Sequence, residues 1–111
     1  MRVEEKNRNE KLMLYVSGRV DAATASELEQ FISDRIEGLE ELVLDFKGVE
    51  YISSAGLRVL LGTYKAMENQ KGKLIIRGIN KEVEDILYIT GFLEFLHVEE
   101  ESGKRVTRRK E

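Results

Sequence analysis

Residues 42–58 read LVLDFKGVEYISSAGLR, and they are the most informative part of the chain for the fold. They begin with Leu42–Phe46, a nearly continuous apolar run that is typical of a central strand covered on both faces. Two serines, an alanine and a glycine follow at residues 53–56, where a helical pattern opens. The apolar side chains of that helix recur at helical spacing and end before Gly72; they are Leu57, Leu60, Leu61, Tyr64 and Met67. A buried strand that leads directly into an amphipathic helix indicates an α/β domain with parallel strands.

The chain before this stretch has the pattern of a hairpin followed by a helix. Residues 12–17 alternate with a period of two, as a strand does, and residues 1–6 form a weaker strand. The turn residues at 7–9 join the two strands into a predicted hairpin. A hydroxyl followed three residues later by a carboxylate at 24–27 has the form of a capping box. We therefore expect the first helix to run from about residue 24 to residue 37.

The chain after this stretch repeats the strand and helix units. Residues 73–77 form another strand of the buried type, and Asn80 is a suitable N-cap for a third helix that ends at Gly91. Residues 95–98 are the last predicted strand. The predicted order is ββαβαβαβ, an α/β fold with a mixed, mostly parallel sheet and an N-terminal hairpin. We expect residues 1–100 to be the domain and residues 101–111 to be a basic, disordered tail.

Composition excludes several classes of function. The chain has 111 residues, the size of one domain, and it has no cysteine, so disulfides and thiolate metal sites are excluded. The longest apolar run is residues 12–16, far short of the roughly 20 residues needed to cross a bilayer. The charged N-terminus is unlike a secretory signal. We expect a cytoplasmic protein with no cofactor, no metal and no membrane partner.

The charge is unevenly distributed along the chain. Residues 1–100 carry 13 basic and 19 acidic side chains, whereas residues 101–111 carry 5 basic and 2 acidic ones. An acidic body argues against nucleic acid as a partner, because phosphate neutralisation requires a basic face.

The start of the second helix is the candidate functional site. A helix start exposes unpaired backbone N–H groups and a partial positive charge. One serine of the pair Ser53 and Ser54 suffices as an N-cap, which is the simplest interpretation of the pattern. A cap does not require the second serine. Gly56 has no side chain to cover the backbone beside the two hydroxyls, so another surface could approach closely there.

The sequence gives little support for a catalytic function. A serine hydrolase needs a base within hydrogen-bond reach, and the only histidine, His97, lies in the last predicted strand, where we expect it to be partly exposed. The elbow pattern G-x-S-x-G and a phosphate-binding loop are both absent. We therefore expect that the protein is not an enzyme. Asp21 comes just before the capping box, and the sequence leaves open whether it is a cap or a surface contact.

Several short motifs, in this order and spacing, resemble those of the STAS domain, and in particular the bacterial anti-sigma factor antagonists. The matching segments are residues 17–21 with 24–25, residues 44–45, residues 51–57, residues 62–65, residues 72–74 and residues 90–93. Together they extend over roughly residues 3–100.

The resemblance implies a partner switch. Members of the family bind an anti-sigma factor that is also a serine kinase, and so release the sigma factor. The kinase phosphorylates a serine at the start of the second helix, and a serine phosphatase reverses this. By the motif, Ser54 takes the place of the acceptor serine, and Asp21 matches an aspartate of the surface near it. We expect this surface to bind the partner, with these further residues: Ser53, Ala55, Gly56, Leu57 and Arg58.

Two departures from the family pattern keep an alternative open. Ser53 stands where the family usually has an aspartate, and Ala55 stands where it has a serine or threonine. The alternative is a STAS scaffold or small-ligand-sensing interaction module that is never phosphorylated. A third hypothesis, weak nucleotide hydrolysis, would require an activity that disappears in Ser54→Ala.

Overall fold

The structure, a computed structural model, describes residues 1–106. The elements in chain order are β1 (Arg2–Arg8), β2 (Lys11–Val20), α1 (Ala25–Ser33), β3 (Glu41–Ile52), α2 (Ser54–Asn69), β4 (Lys73–Arg77), α3 (Lys81–Ile89), a 3₁₀ turn (Phe92–Glu94) and β5 (His97–Glu99). The predicted order ββαβαβαβ and the α/β fold are confirmed. No helix within residues 1–106 is long and apolar enough to span a bilayer.

The five strands form one sheet whose spatial order follows the chain, β1-β2-β3-β4-β5. The β1–β2 hairpin is antiparallel, and β2 to β5 are parallel neighbours. Crossovers between adjacent parallel strands are right-handed, so this order directs all three helices to the same face of the sheet. The carboxyl ends of the parallel strands, and the loops that follow them, therefore lie at one edge of the domain.

The core lies between the sheet and these helices. It is built from alternate strand residues, such as Leu14, Leu44 and Ile76, which are neighbours in the register and are fully buried. The opposite face of the sheet has no helix in the part of the chain described, yet all of residues 42–46 are buried. On that face Asp45 forms an ion pair with Arg77 across the strands at 3.2 Å. The prediction of a strand buried on both faces is correct, although charged side chains rather than helices lie on one of them.

The first helix is shorter than expected. It ends at Ser33 instead of residue 37, and turns occupy the following residues. Arg35 stabilises this break because its side chain donates to the Phe31 carbonyl at 2.9 Å and pairs with Glu5 of the neighbouring hairpin at 2.9 Å. Tertiary contacts have ended the helix where local periodicity would have continued it.

Four strands also differ in length from their predictions, and in the hairpin β1 continues to Arg8 and β2 to Val20. β3 continues past residue 46 to Ile52, and its last part pairs with the end of β2 across two irregularities in the register. Gly48 permits this pairing, because a Cβ there would lie 2.7 Å from the Cβ of Ser17. β5 begins at His97 rather than at residue 95, since the 3₁₀ turn comes first.

The third helix begins as predicted. The Asn80 side chain accepts a hydrogen bond from the Val83 N–H at 2.7 Å, and its amide donates to the Val49 carbonyl at 3.1 Å. The N-cap thus also joins the loop after β4 to β3.

The first residues of the basic tail are folded. The Glu100 N–H donates to the Lys104 carbonyl, and the Val106 N–H donates to the Val98 carbonyl, both at 2.7 Å. Residues 101–106 thus turn back beside β5. The rest of the predicted tail, residues 107–111, lies outside the described residues.

Candidate functional site

Because β3 extends to Ile52, Ser53 lies at the carboxyl edge of the sheet. The Ser53 N–H donates to the carbonyl of Val20 at 2.9 Å, which ties the strand end to β2. Ser53 is the N-cap of α2, since its hydroxyl accepts from the Gly56 N–H at 3.4 Å. Its carbonyl accepts a hydrogen bond from the Leu57 N–H at 2.9 Å, so regular helical hydrogen bonding begins at the cap itself. Of the two serines, Ser53 therefore takes the structural role.

Ser54 is the first residue of α2, and its side chain is exposed. Its hydroxyl takes part in no hydrogen bond with any residue in 1–106. Because neither the cap nor the core uses this hydroxyl, its chemical modification would leave the contacts of the fold intact.

Two residues that we expected at the partner surface lie in the core instead. Gly56 is buried, and a Cβ at this position would lie 2.6 Å from Cγ1 of Ile52 and 2.9 Å from Cγ1 of Val20. Leu57 is only 8% exposed. Both residues are buried because the bare face of Gly56 admits the ends of β2 and β3 under the helix, which leaves them little surface for a partner. Ala55 is half-buried at the margin of this contact.

The structure shows that Asp21 caps the turn between β2 and α1. Its Oδ1 atom accepts from the N–H groups of Ala23 at 3.0 Å and Thr24 at 3.2 Å. The predicted capping box is wrong: the Thr24 side chain makes no cap hydrogen bond, and its hydroxyl donates to the Arg19 carbonyl at 2.8 Å. The other carboxylate oxygen of Asp21 faces Arg19 Nε at 3.6 Å. About a third of the side chain is exposed, so the residue can also face a partner.

The hydrogen bond from the Ala23 N–H holds the pKa of Asp21 below its ordinary value, and bonds from Thr24 and the charge of Arg19 act in the same direction. A carboxyl whose pKa is lower in the folded state contributes stability above its unfolded pKa of about 3.9. We expect that contribution to disappear as the pH falls from about 4 through the folded pKa.

The measurement compares the pH dependence of thermal unfolding in wild-type protein and in Asp21→Asn, which keeps the Oδ1 acceptor but has no charge. The wild type should be more stable at neutral pH, and the difference should close in acid. A difference that is independent of pH would show that the charge contributes nothing.

Two arginines belong to the elements that meet at this end of the sheet. The guanidinium of Arg19 stacks on the Tyr51 ring, 4.5 Å from its centroid, and so lies beside the end of β3. This contact has no signal in the sequence, because it depends on the strand register that places Arg19 opposite Tyr51. Arg58, one turn into α2, is exposed and has no ion pair or hydrogen bond within residues 1–106.

Other chemical groups lie elsewhere. His97 is half-buried, as expected, and its Nε2 atom is 2.7 Å from the carboxylate of Glu99, so it is engaged within β5. No group of three potential ligand side chains that could hold a metal ion occurs among the residues described.

Comparison with known proteins agrees with this architecture. The family model of the STAS domain matches residues 1–104. The anti-sigma-B factor antagonist of Staphylococcus aureus is 31% identical over 86 residues, which are 77% of this chain and 80% of that protein. The chain therefore belongs to the STAS domain family, among the anti-sigma factor antagonists.

Solved structures show the same fold. An anti-sigma factor antagonist from Mycobacterium paratuberculosis superposes with a TM-score of 0.79 at 24% identity, over 87% of this chain and 83% of that one. The Bacillus cell fate determinant SpoIIAA in its phosphorylated form superposes with a TM-score of 0.71 at 15% identity, over 91% of this chain and 94% of that one.

Proposed function

We propose that this protein is a cytoplasmic partner switch. Without phosphate it binds an anti-sigma factor that is a serine kinase, through the surface formed by Asp21, Ser53, Ser54, Ala55 and Arg58. Transfer of a phosphoryl group to Ser54 releases it, and a serine phosphatase resets it. The observation that carries this proposal is the exposed hydroxyl of Ser54 at the first position of α2, which forms no hydrogen bond within residues 1–106.

The free domain tolerates a phosphate at this position. A phosphoserine carries about −1.5 to −2 charges at neutral pH, and an anion at a helix N-terminus is stabilised by the helix dipole. Since Ser53 provides the N-cap and Ser54 makes no bond to the core, no contact of the fold is lost.

The same charge opposes binding. A partner that covers Ser54 must remove water from the phosphate, and this desolvation costs several kcal/mol when the partner surface supplies no compensating charge. This cost acts on the complex and not on the free domain, so a local modification changes association without changing the fold.

The direct test is intact mass after incubation with the candidate kinase and ATP. We expect a gain of one phosphoryl group in the wild type and none in Ser54→Ala, while Ser53→Ala still gains it. Because Ser53 replaces the aspartate usual in the family, no gain in the wild type, with binding retained, would favour the unphosphorylated interaction module. A gain that persists in Ser54→Ala would contradict the assignment of the acceptor.

A further inference from the structure

We propose that Arg58 is the internal counterion of a phosphate on Ser54, holding it against the first turn of α2. This inference deepens the proposed function and rests on it for the origin of the phosphate.

The spacing of the two residues places them side by side. Ser54 and Arg58 are four residues apart in the same helix, the separation at which side chains on a helix surface are neighbours. The Cα–Cβ bonds of a helix tilt toward its amino terminus, so the long side chain of Arg58 can reach back over the turn that begins with Ser54. Both side chains are exposed, so neither must leave a packed position to reach the other.

Arg58 is available for this contact, whereas the neighbouring cation is engaged. Arg19 stacks on Tyr51 at 4.5 Å and faces the carboxylate of Asp21 at 3.6 Å. Arg58 makes no ion pair or hydrogen bond in the part of the chain that the structure describes. A phosphate on Ser54 would therefore gain an arginine without breaking an existing interaction.

The chemistry of the two groups favours the pair. A phosphate offers three acceptor oxygens, and a guanidinium presents several N–H donors in a planar fork that binds two of them at once. Ser53 adds no negative charge next to the phosphate, whereas an aspartate at this position would. The pair stabilises the dianionic form, which is the form that a covering partner must desolvate.

The test uses the full-length chain with phosphoserine installed at position 54 during translation, so that no kinase is needed. The second pKa of the phosphate, ordinarily about 6, is measured by phosphorus NMR in the wild type, in Arg58→Gln and in Arg19→Gln. We expect the pKa in the wild type to lie about 0.15 to 0.4 below that in Arg58→Gln. Arg19→Gln, which removes the engaged cation, should match the wild type.

An equal pKa in the wild type and in Arg58→Gln would overturn the proposal, as would an increase in Arg19→Gln as large as that in Arg58→Gln. The difference should also shrink at about 1 M salt, where the Debye length is about 3 Å and an exposed pair is screened. Failure of the partner switch would appear separately, as no phosphoryl transfer from the kinase, and would leave this measurement unchanged.

Discussion

Ser54→Asp should lower the affinity for the kinase-type anti-sigma factor by about 100-fold or more, equivalent to roughly 2.7 kcal/mol. The substitution places a carboxylate on the exposed first position of α2, where a bound partner would exclude water from it. Isothermal titration calorimetry with the purified partner measures the effect directly.

The matched control is Ser54→Asn, which has nearly the same size as the aspartate but no charge. We expect it to bind much more tightly than Ser54→Asp. Thermal unfolding of Ser54→Asp should show unchanged or slightly raised stability, because a carboxylate in the first turn of a helix is favourable by about 0.3–1 kcal/mol. If both variants bind equally weakly, size rather than charge opposes the partner; if both bind like the wild type, the partner does not cover Ser54.

Gly56→Ala should lower the free energy of unfolding by about 1–2 kcal/mol, although alanine is the better helix former. The added Cβ would lie 2.6 Å from Cγ1 of Ile52 and 2.9 Å from Cγ1 of Val20, and both of those side chains are buried. Either the core side chains move or the start of α2 lifts away from the sheet, and both cost stability. Urea denaturation of the variant and the wild type measures the difference.

Gly62→Ala is the matched control, since it is the same substitution in the same helix. Among the residues that the structure describes, a Cβ at Gly62 has no neighbour within 4 Å apart from the helix itself, so only the helix propensity changes. We expect Gly62→Ala to raise the free energy of unfolding by about 0.5–1 kcal/mol. The same sign for both variants would contradict the view that the close approach of Ile52 and Val20 requires Gly56.

Much of the fold was predictable because local patterns agreed with the tertiary arrangement. The alternation in residues 12–17 and the apolar run in residues 42–46 identified β2 and the central strand β3. The side-chain oxygen of Asn80 caps α3 as expected, because an N-cap satisfies N–H groups only three residues away and needs no distant partner.

The candidate site was predictable as a location but not in its detail. Ser54 is exposed at the start of α2 as the pattern indicated, and Ser53 is the cap. The pattern predicted that the side of Gly56 without a side chain faces a partner, but it faces the core. A glycine has the same local sequence pattern in either case. The hydrogen bonds of Asp21 were left open for a similar reason, because Thr24 and Asp21 are both plausible caps.

The amino-acid sequence alone determined which segments become strands and helices. It also determined that two serine hydroxyls lie at the start of a helix. Both follow from hydrophobic periodicity and capping, which act over a few neighbouring residues. Contacts between distant segments settled the rest. α1 ends at Ser33, where Arg35 pairs with the distant Glu5. β3 extends to Ile52 because its last part pairs with β2. These outcomes depend on groups far apart in the chain, so they follow from packing and have no local signature.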